Sequence, residues 1–309
     1  MLSSIEKSRM MPTKYAYFGI GAKRWINIAR SRLNASGKGI NILERVLLTQ
    51  KAGSIFDALG FYGYRNFSLM DLGCGDGSPL YPLLHYLRNE LPKSGVRYNP
   101  IDISPDMLHA ASKNVSEGFS AFGKQNKWDF DKGPFRHLTK KLEKPRFGNL
   151  YLFLGSTFGN MPDLHRTLVN IRESMGANDY LLLGVEQIVP GEIGGMLRDY
   201  YKIRDVFDLL FTPFQFFGLR HSDGEFRVTF NREKSQVEVH FTPDKELRLQ
   251  TLSGKATLKK GKPIMLARSV KFTSERLAGL FSEAGFRTEM LTTSRDNNYA
   301  LVLVQPVTL

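Results

Sequence analysis

The sequence predicts an α/β protein, a doubly wound parallel sheet with a second, α+β region set into the chain. Three observations predict it. From residue 68 to residue 186 short apolar runs alternate with helix-period segments, the pattern of successive βαβ units. The first of these runs ends in Gly73-Cys74-Gly75-Asp76-Gly77, and a strand, a glycine turn and a helix open a nucleotide-binding unit. Beyond Glu186 the alternation gives way to an aromatic helical stretch and then to period-two strands, a change of layer.

Residues 1–60 read as an N-terminal helical segment contributing to the second domain, with apolar positions Ile26, Ile28 and Ala29, then Ile42, Val46 and Leu47. Asn34 to Gly39 is the loop signal between them. Residues 61–186 are the sheet-forming core. Ser68 to Leu72 is its first strand, and Leu80 to Leu87 the helix after the glycine turn. Val96 to Ile103 is the second strand, followed by a helix with Ser104 as its cap and Pro105 in its first position. Leu150 to Leu154 and Tyr180 to Val185 are further buried strands. Residues 187–272 form the second domain: helical from 192 to 219 with seven aromatic side chains, then a β-meander over 226–252 with turns at Asn231-Arg232-Glu233 and Thr242-Pro243-Asp244. The aromatic side chains read as a packed helical core or as the wall of an aromatic pocket. Residues 273–309 complete the core with an amphipathic helix, Ser274 to Ala284, and two strands around Arg295 to Asn298.

Composition narrows the function classes. The chain has 309 residues, 42% hydrophobic and 24% charged, which fits a globular protein. No stretch reaches the roughly 18 to 20 apolar residues of a membrane span, and the first twenty residues lack a signal-peptide core. A cytoplasmic protein with no membrane partner is expected. One cysteine, Cys74, leaves no internal disulfide. The histidines at 85, 109, 137, 165, 221 and 240 show no tight ligand spacing, so no metal is expected. The formal charge of +13 keeps nucleic acid open as a less favoured partner, since the basic residues form only small clusters.

The glycine segment is the first that points to chemistry. Gly73, Gly75 and Gly77 let a ligand approach the backbone, and the helix that follows presents free N–H groups. The spacing is GxGxG, with Ser78 where a dinucleotide fingerprint has its third glycine. Asp102, at the end of the second strand, is placed to take ribose hydroxyls. Together with the acid Asp71 this resembles motif I of the class I S-adenosylmethionine (SAM)-dependent methyltransferases. The resemblance implies a Rossmann-like methyltransferase sheet, SAM as cofactor and S-adenosylhomocysteine (SAH) as product. It assigns Asp71, Gly73, Gly75, Gly77, Asp102, Ile103, Asp129, Phe130, Gly155 and Ser156 to the cofactor, with Asp129 toward the adenine amine and Phe130 packing on the ring.

The segment Phe153-Leu154-Gly155-Ser156-Thr157-Phe158-Gly159-Asn160 is similar to the FLGSTIGN signature of the histidine-specific N-alpha-methyltransferases. Lys14 to Phe18, Pro100 to Ser104, Leu181 to Gly184 and Asp296 to Leu301 extend that resemblance over most of the chain, and the aromatic helices and meander correspond to the family's substrate-binding domain. It implies that Asn160 and Tyr17 hold the amino group to be methylated and that Tyr200 grips the substrate carboxylate. Ser269 is retained in Ser269-Val270-Lys271-Phe272. Glu186, just past a strand, is placed to accept a proton or anchor a cationic group.

Two departures bear on the substrate. The relatives hold imidazole with a Met and a Glu where this chain has Val239 and Ala267, and a site without that acceptor discriminates poorly for histidine. Their Pro-Glu-Tyr-Tyr segment is replaced by the stretch around Gly37-Lys38-Gly39. The expected activity is N-methylation of an amino acid or related small amine other than histidine. The alternatives are a methyltransferase acting on RNA or peptide, and a catalytically silent SAM-binding partner protein.

Overall fold

The computed structural model of the protein describes residues 1–34, 40–59, 66–90, 95–116, 125–144, 147–202, 204–252, 254–296 and 298–307. The stretch around Gly37-Lys38-Gly39 lies outside them. The chain forms two compact units: Met1–Ser31 with Ile188–Lys271, and Arg32–Gln187 with Phe272–Leu309. The expected N-terminal segment 1–60 is therefore divided at Ser31. The reason lies in its helices: α1 (Leu2–Ser8) and α2 (Ile20–Asn34) bury Ile5 and Ile28 in the core of the smaller unit, whereas α3 (Ile40–Ala58) buries Leu47, Leu48, Ala52 and Ile55 in that of the larger. Among the described residues no helix is long and apolar enough to cross a membrane.

In the larger unit the chain runs β1 (Asn66–Leu72), α4 (Tyr81–Glu90), β2 (Gly95–Asp102), α5 (Pro105–Ser116), β3 (Asn126–Lys127), α6 (Arg136–Leu142), β4 (Phe147–Phe153), α7 (Leu164–Ser174) and β5 (Tyr180–Glu186). β1, β4 and β5 are buried from their second residue onward, as expected of strands covered on both faces. Ser104 caps α5 as expected, its Oγ accepting from Met107 N–H at 3.4 Å, and Asp163 caps α7 by accepting from Arg166 N–H at 2.9 Å.

The smaller unit holds α8 (Ile193–Lys202), α9 (Arg204–Gln215), β6 (Gly224–Asn231), β7 (Gln236–Pro243), β8 (Leu247–Thr251), β9 (Gly254–Leu258) and β10 (Ile264–Val270). The chain then returns to the larger unit for α10 (Ser274–Glu283), β11 (Phe286–Thr293) and β12 (Tyr299–Pro306). The large sheet is ordered β11-β12-β5-β4-β1-β2-β3. It is parallel from β3 to β5, and the last two strands are antiparallel.

The expected meander is corrected. β6 and β7 form the expected hairpin, but the free edge of β7 takes β10, giving a sheet ordered β10-β7-β6, while β8 pairs only with β9. At the end of β7 both of its edges are already taken, Asp244 N–H bonding Asp223 C=O (3.0 Å) on the β6 side and Gly261 N–H bonding Pro243 C=O (2.8 Å) on the β10 side. β8 thus finds no open edge on β7, and buries Leu247 and Leu249 in its hairpin with Ala256 and Leu258. The aromatic residues of α9 settle as packing: Phe211 and Phe214 are fully buried, and Phe211 lies against Phe226 and Phe241 with centroids 5.4 and 4.9 Å away.

Candidate active site

In an open parallel sheet, ligands bind beyond the carboxyl ends of the strands where the winding reverses. Here that point lies between β1, whose next strand β2 is on one side, and β4 on the other. The two segments singled out from the sequence leave the sheet at this point: Gly73 follows β1, and Gly155 follows β4 by two residues.

Gly73, Gly75 and Gly77 all take left-handed φ values of 63°, 53° and 75°, a region costly for residues with a Cβ. At Gly77 space adds to the requirement, because a Cβ would lie 2.9 Å from Val115 and 3.3 Å from the Tyr98 hydroxyl. The turn is tied to the neighbouring strand by Gly73 N–H on Ile101 C=O (2.7 Å) and Gly75 N–H on Asp102 Oδ2 (3.3 Å). Asp102 also accepts from Ser104 N–H at 2.8 Å, and half-buried Ile103 adds its N–H. Asp129 follows the short strand β3 and is half-buried. Phe130 is nearly buried, its ring 5.7 Å from Phe135 and 5.8 Å from Phe153.

Electrostatics set this cradle apart. Asp71 and Asp102 are buried. Burial pushes the Asp71 carboxyl up to about 7, with Asp102, Glu44 and Asp76 adding to the rise against the pull of the Tyr98 hydroxyl bond (2.7 Å). Burial lifts Asp102 to about 6 against the N–H groups bonded to it. Among the described residues, the main groups acting on either include no lysine or arginine. Carboxylates collected without a cation suit a ligand that brings positive charge. SAM, with its sulfonium and ammonium groups, fits them, and the left-handed glycines leave the backbone open to it.

After β4 the chain bends through Gly155 (φ 68°) and Ser156 (φ 58°) into a 3-10 turn, Thr157–Asn160. Asn160 ends that turn half-buried. Glu186 ends β5, 9% exposed, its carbonyl accepting from Phe272 N–H at 3.1 Å. Two residues that the sequence reading missed close the network. Glu44 of α3 accepts from Gly155 N–H at 2.8 Å and from the Tyr299 hydroxyl. Tyr299 stood inside the quoted Asp296 to Leu301 segment without a role. The signal for Glu44 was a carboxylate on the apolar stripe it shares with Leu48, Ala52 and Ile55.

The remaining candidates belong to the smaller unit. Tyr17 is half-buried and meets Trp25 edge-on at 5.7 Å. The segment before it lies along β10 through a Met10–Met265 bridge and a Thr13 hydroxyl bond to Leu266 C=O (3.4 Å). On β10, the Ser269 hydroxyl accepts from the Nζ of Lys271, a fully buried lysine, at 2.9 Å. The Ser269 proton is left to donate elsewhere. Val239 and Ala267 are direct cross-strand partners. Tyr200 lies in α8, and its side chain is outside the described residues.

A sequence model of the family described as "Histidine-specific methyltransferase, SAM-dependent" matches residues 2–306. No curated protein matches the chain. Among solved structures, it is similar to a SAM-dependent methyltransferase from Clostridium acetobutylicum, with 9% identity over 93% of this chain and 99% of that one and a TM-score of 0.44. It is also similar to the sugar N-methyltransferase KedS8 from Streptoalloteichus (13% identity, 87% and 88% coverage, TM-score 0.40). A third likeness is the SAM-bound amino pentose methyltransferase CalS10 from Micromonospora echinaspora (13% identity, 84% and 92% coverage, TM-score 0.38).

Proposed function

Because the chain belongs to the histidine-specific, SAM-dependent methyltransferase family, we propose that it methylates the amino nitrogen of an amino acid or related small amine other than histidine. One observation carries the choice of substrate. The positions that histidine-specific relatives fill with an imidazole-holding Met and Glu are Val239 and Ala267 here, and the two face each other across β7 and β10. Both members of that pair are apolar, so neither side chain offers an acceptor to an imidazole N–H where the relatives have one, and a site lacking that partner gains nothing from the group.

SAM, when bound, supplies an activated methyl group at its sulfonium. Asp71, Asp102 and the Gly73–Gly77 backbone hold the cofactor, with Asp129 toward the adenine. The remaining task is positioning. Asn160 accepts a hydrogen bond from the amine through its Oδ1 and so orients the nitrogen lone pair; Tyr17 gives a second acceptor, and Tyr200 and Ser269 hold the substrate carboxylate. An α-amino group titrates near 8, so an appreciable fraction is neutral at neutral pH. Glu186 takes the released proton or anchors a cationic substituent.

A methyl-transfer screen over amino acids, biogenic amines, short peptides and bulk tRNA, scored by mass, tests this reading. A small amine gains methyl groups, and Asn160→Ala lowers its rate by about a hundredfold, the scale of a misplaced reactant. Label found only in RNA or peptide, or an Asn160→Ala enzyme as fast as the parent, overturns it.

RNA as acceptor is the second reading, favoured by where the charge lies. The smaller unit holds 21 Lys and Arg against 11 Asp and Glu, +10 of the chain's +13. It contains a cleft of about 690 Å³ lined by Arg9, Arg248, Lys255, Lys259 and Lys262. The two acids there already have partners, Glu6 accepting from Thr257 N–H (3.2 Å) and Glu246 pairing with Arg248 (3.3 Å).

A further inference from the structure

Glu44 is among the buried carboxyls of the larger unit to which the methyl-transfer chemistry gives no task. Glu44 is 2% exposed, and a single oxygen, Oε2, accepts both the Gly155 N–H and the Tyr299 hydroxyl proton. Burial pushes its carboxyl up to about 7 against those two bonds. A side chain kept there at an electrostatic cost is expected to do something that an apolar residue of the same size would not.

What it holds is the bend that leads to Asn160. Gly155 and Ser156 are consecutive left-handed residues, and Ser156 carries a Cβ in that region. Two residues past the end of β4, the Gly155 N–H finds its acceptor in Glu44. The 3-10 turn Thr157–Asn160 starts directly from the bend. The neighbouring strand β5 leaves room for the contact. A Cβ at Gly184 would collide with Glu44 Oε2 and lie 2.5 Å from the Tyr299 hydroxyl. Glycine at 184 and tyrosine at 299 thus belong to one arrangement with Glu44, and both stand in segments that resemble the family's.

We propose that Glu44 is a positioning residue of the transfer site, a buried acceptor that fixes the left-handed Gly155–Ser156 bend and through it the place of Asn160. The role rests on the reading in which Asn160 holds the acceptor amine. It requires the acceptor oxygen, and neither the volume nor the charge of the side chain replaces it.

Two variants of the full-length protein separate these properties. Glu44→Met keeps the volume and removes the acceptor, whereas Glu44→Gln keeps an oxygen able to take both bonds. Hydrogen exchange of the 154–161 peptide should quicken by about tenfold or more in Glu44→Met, the size of an orphaned buried N–H, with the 180–186 peptide unchanged. The melting temperature should hold or rise. Turnover of the amine at saturating SAM should fall by about ten- to a hundredfold, whatever change the shifted Gly155–Ser156 bend passes on to SAM affinity. Glu44→Gln should return all of these toward the parent. If the Met and Gln variants exchange and turn over alike, or if Glu44→Met loosens both peptides and lowers the melting temperature, the proposal is overturned. The exchange comparison needs no acceptor amine. A parent enzyme that methylates no amine would therefore sink the functional reading and leave the assignment of Glu44 to be decided by exchange.

Discussion

Asp71 and Asp102 ionise in the folded protein at about 7 and about 6, against about 4 in an unfolded chain. Burial is the first cause in each case. Since the folded state disfavours their charged forms, the stability present below pH 4 is lost as pH rises through 6 to 7. A cation bound among these groups reverses that loss. The rise in melting temperature caused by SAM should therefore be larger at pH 8 than at pH 5.5. SAH, whose sulfur is neutral, should show a weaker pH trend. Thermal melts with each ligand across that range test this, and a SAM shift independent of pH would remove these carboxyls from cofactor binding. Tyr98, bonded to Asp71, and Asp76 face the same cluster and leave the direction unchanged.

At the level of elements, the pairing of β7 with β10 has a consequence for specificity. Val239 lies opposite Ala267 and Val237 opposite Ser269, so alternate residues of both strands share one face. A Met at 239 and a Glu at 267 would stand side by side there. The double variant Val239→Met/Ala267→Glu should therefore gain histidine methylation by about tenfold or more, on the scale of a restored hydrogen bond to a polar substrate group. Product mass with histidine as acceptor decides it. A variant that loses its native amine and still ignores histidine would show that the face does not line the substrate. The bends after β1 and β4 illustrate a second point. Each strand is unremarkable as a strand, and the left-handed conformations are confined to the few residues after it.

Across the whole molecule the charge is uneven. The larger unit carries +3 and the smaller +10, so attraction for polyanions is concentrated in the smaller unit. With a small amine as acceptor, a 20-nucleotide single-stranded RNA should bind only non-specifically, at about 10⁻⁵ M near physiological salt, with affinity falling steeply as salt rises. It should gain no methyl groups. Tight binding that survives high salt, lost in Lys255→Glu/Lys259→Glu and accompanied by methylation of the RNA, would transfer the function to the second reading.

The sequence by itself determined the alternation of strands and helices, the glycine turn, the acid at the end of β2 and the signature ending at Asn160, because these are encoded by residues close together along the chain. A left-handed turn needs its glycines at fixed spacing, and a buried strand needs its apolar run. The tertiary structure decided what depends on distant segments meeting. It took β10 rather than β8 as the neighbour of β7, so that both edges of β7 are filled, the second by a strand that lies a whole hairpin further along the chain. It also divided the N-terminal helices between two cores at Ser31. Most of all it brought Glu44, Gly155, Gly184 and Tyr299 together from four places in the sequence. A carboxylate on an apolar helical stripe is visible in one dimension, but its partners become legible only where the fold places an unpaired N–H and a phenol within reach of the same oxygen.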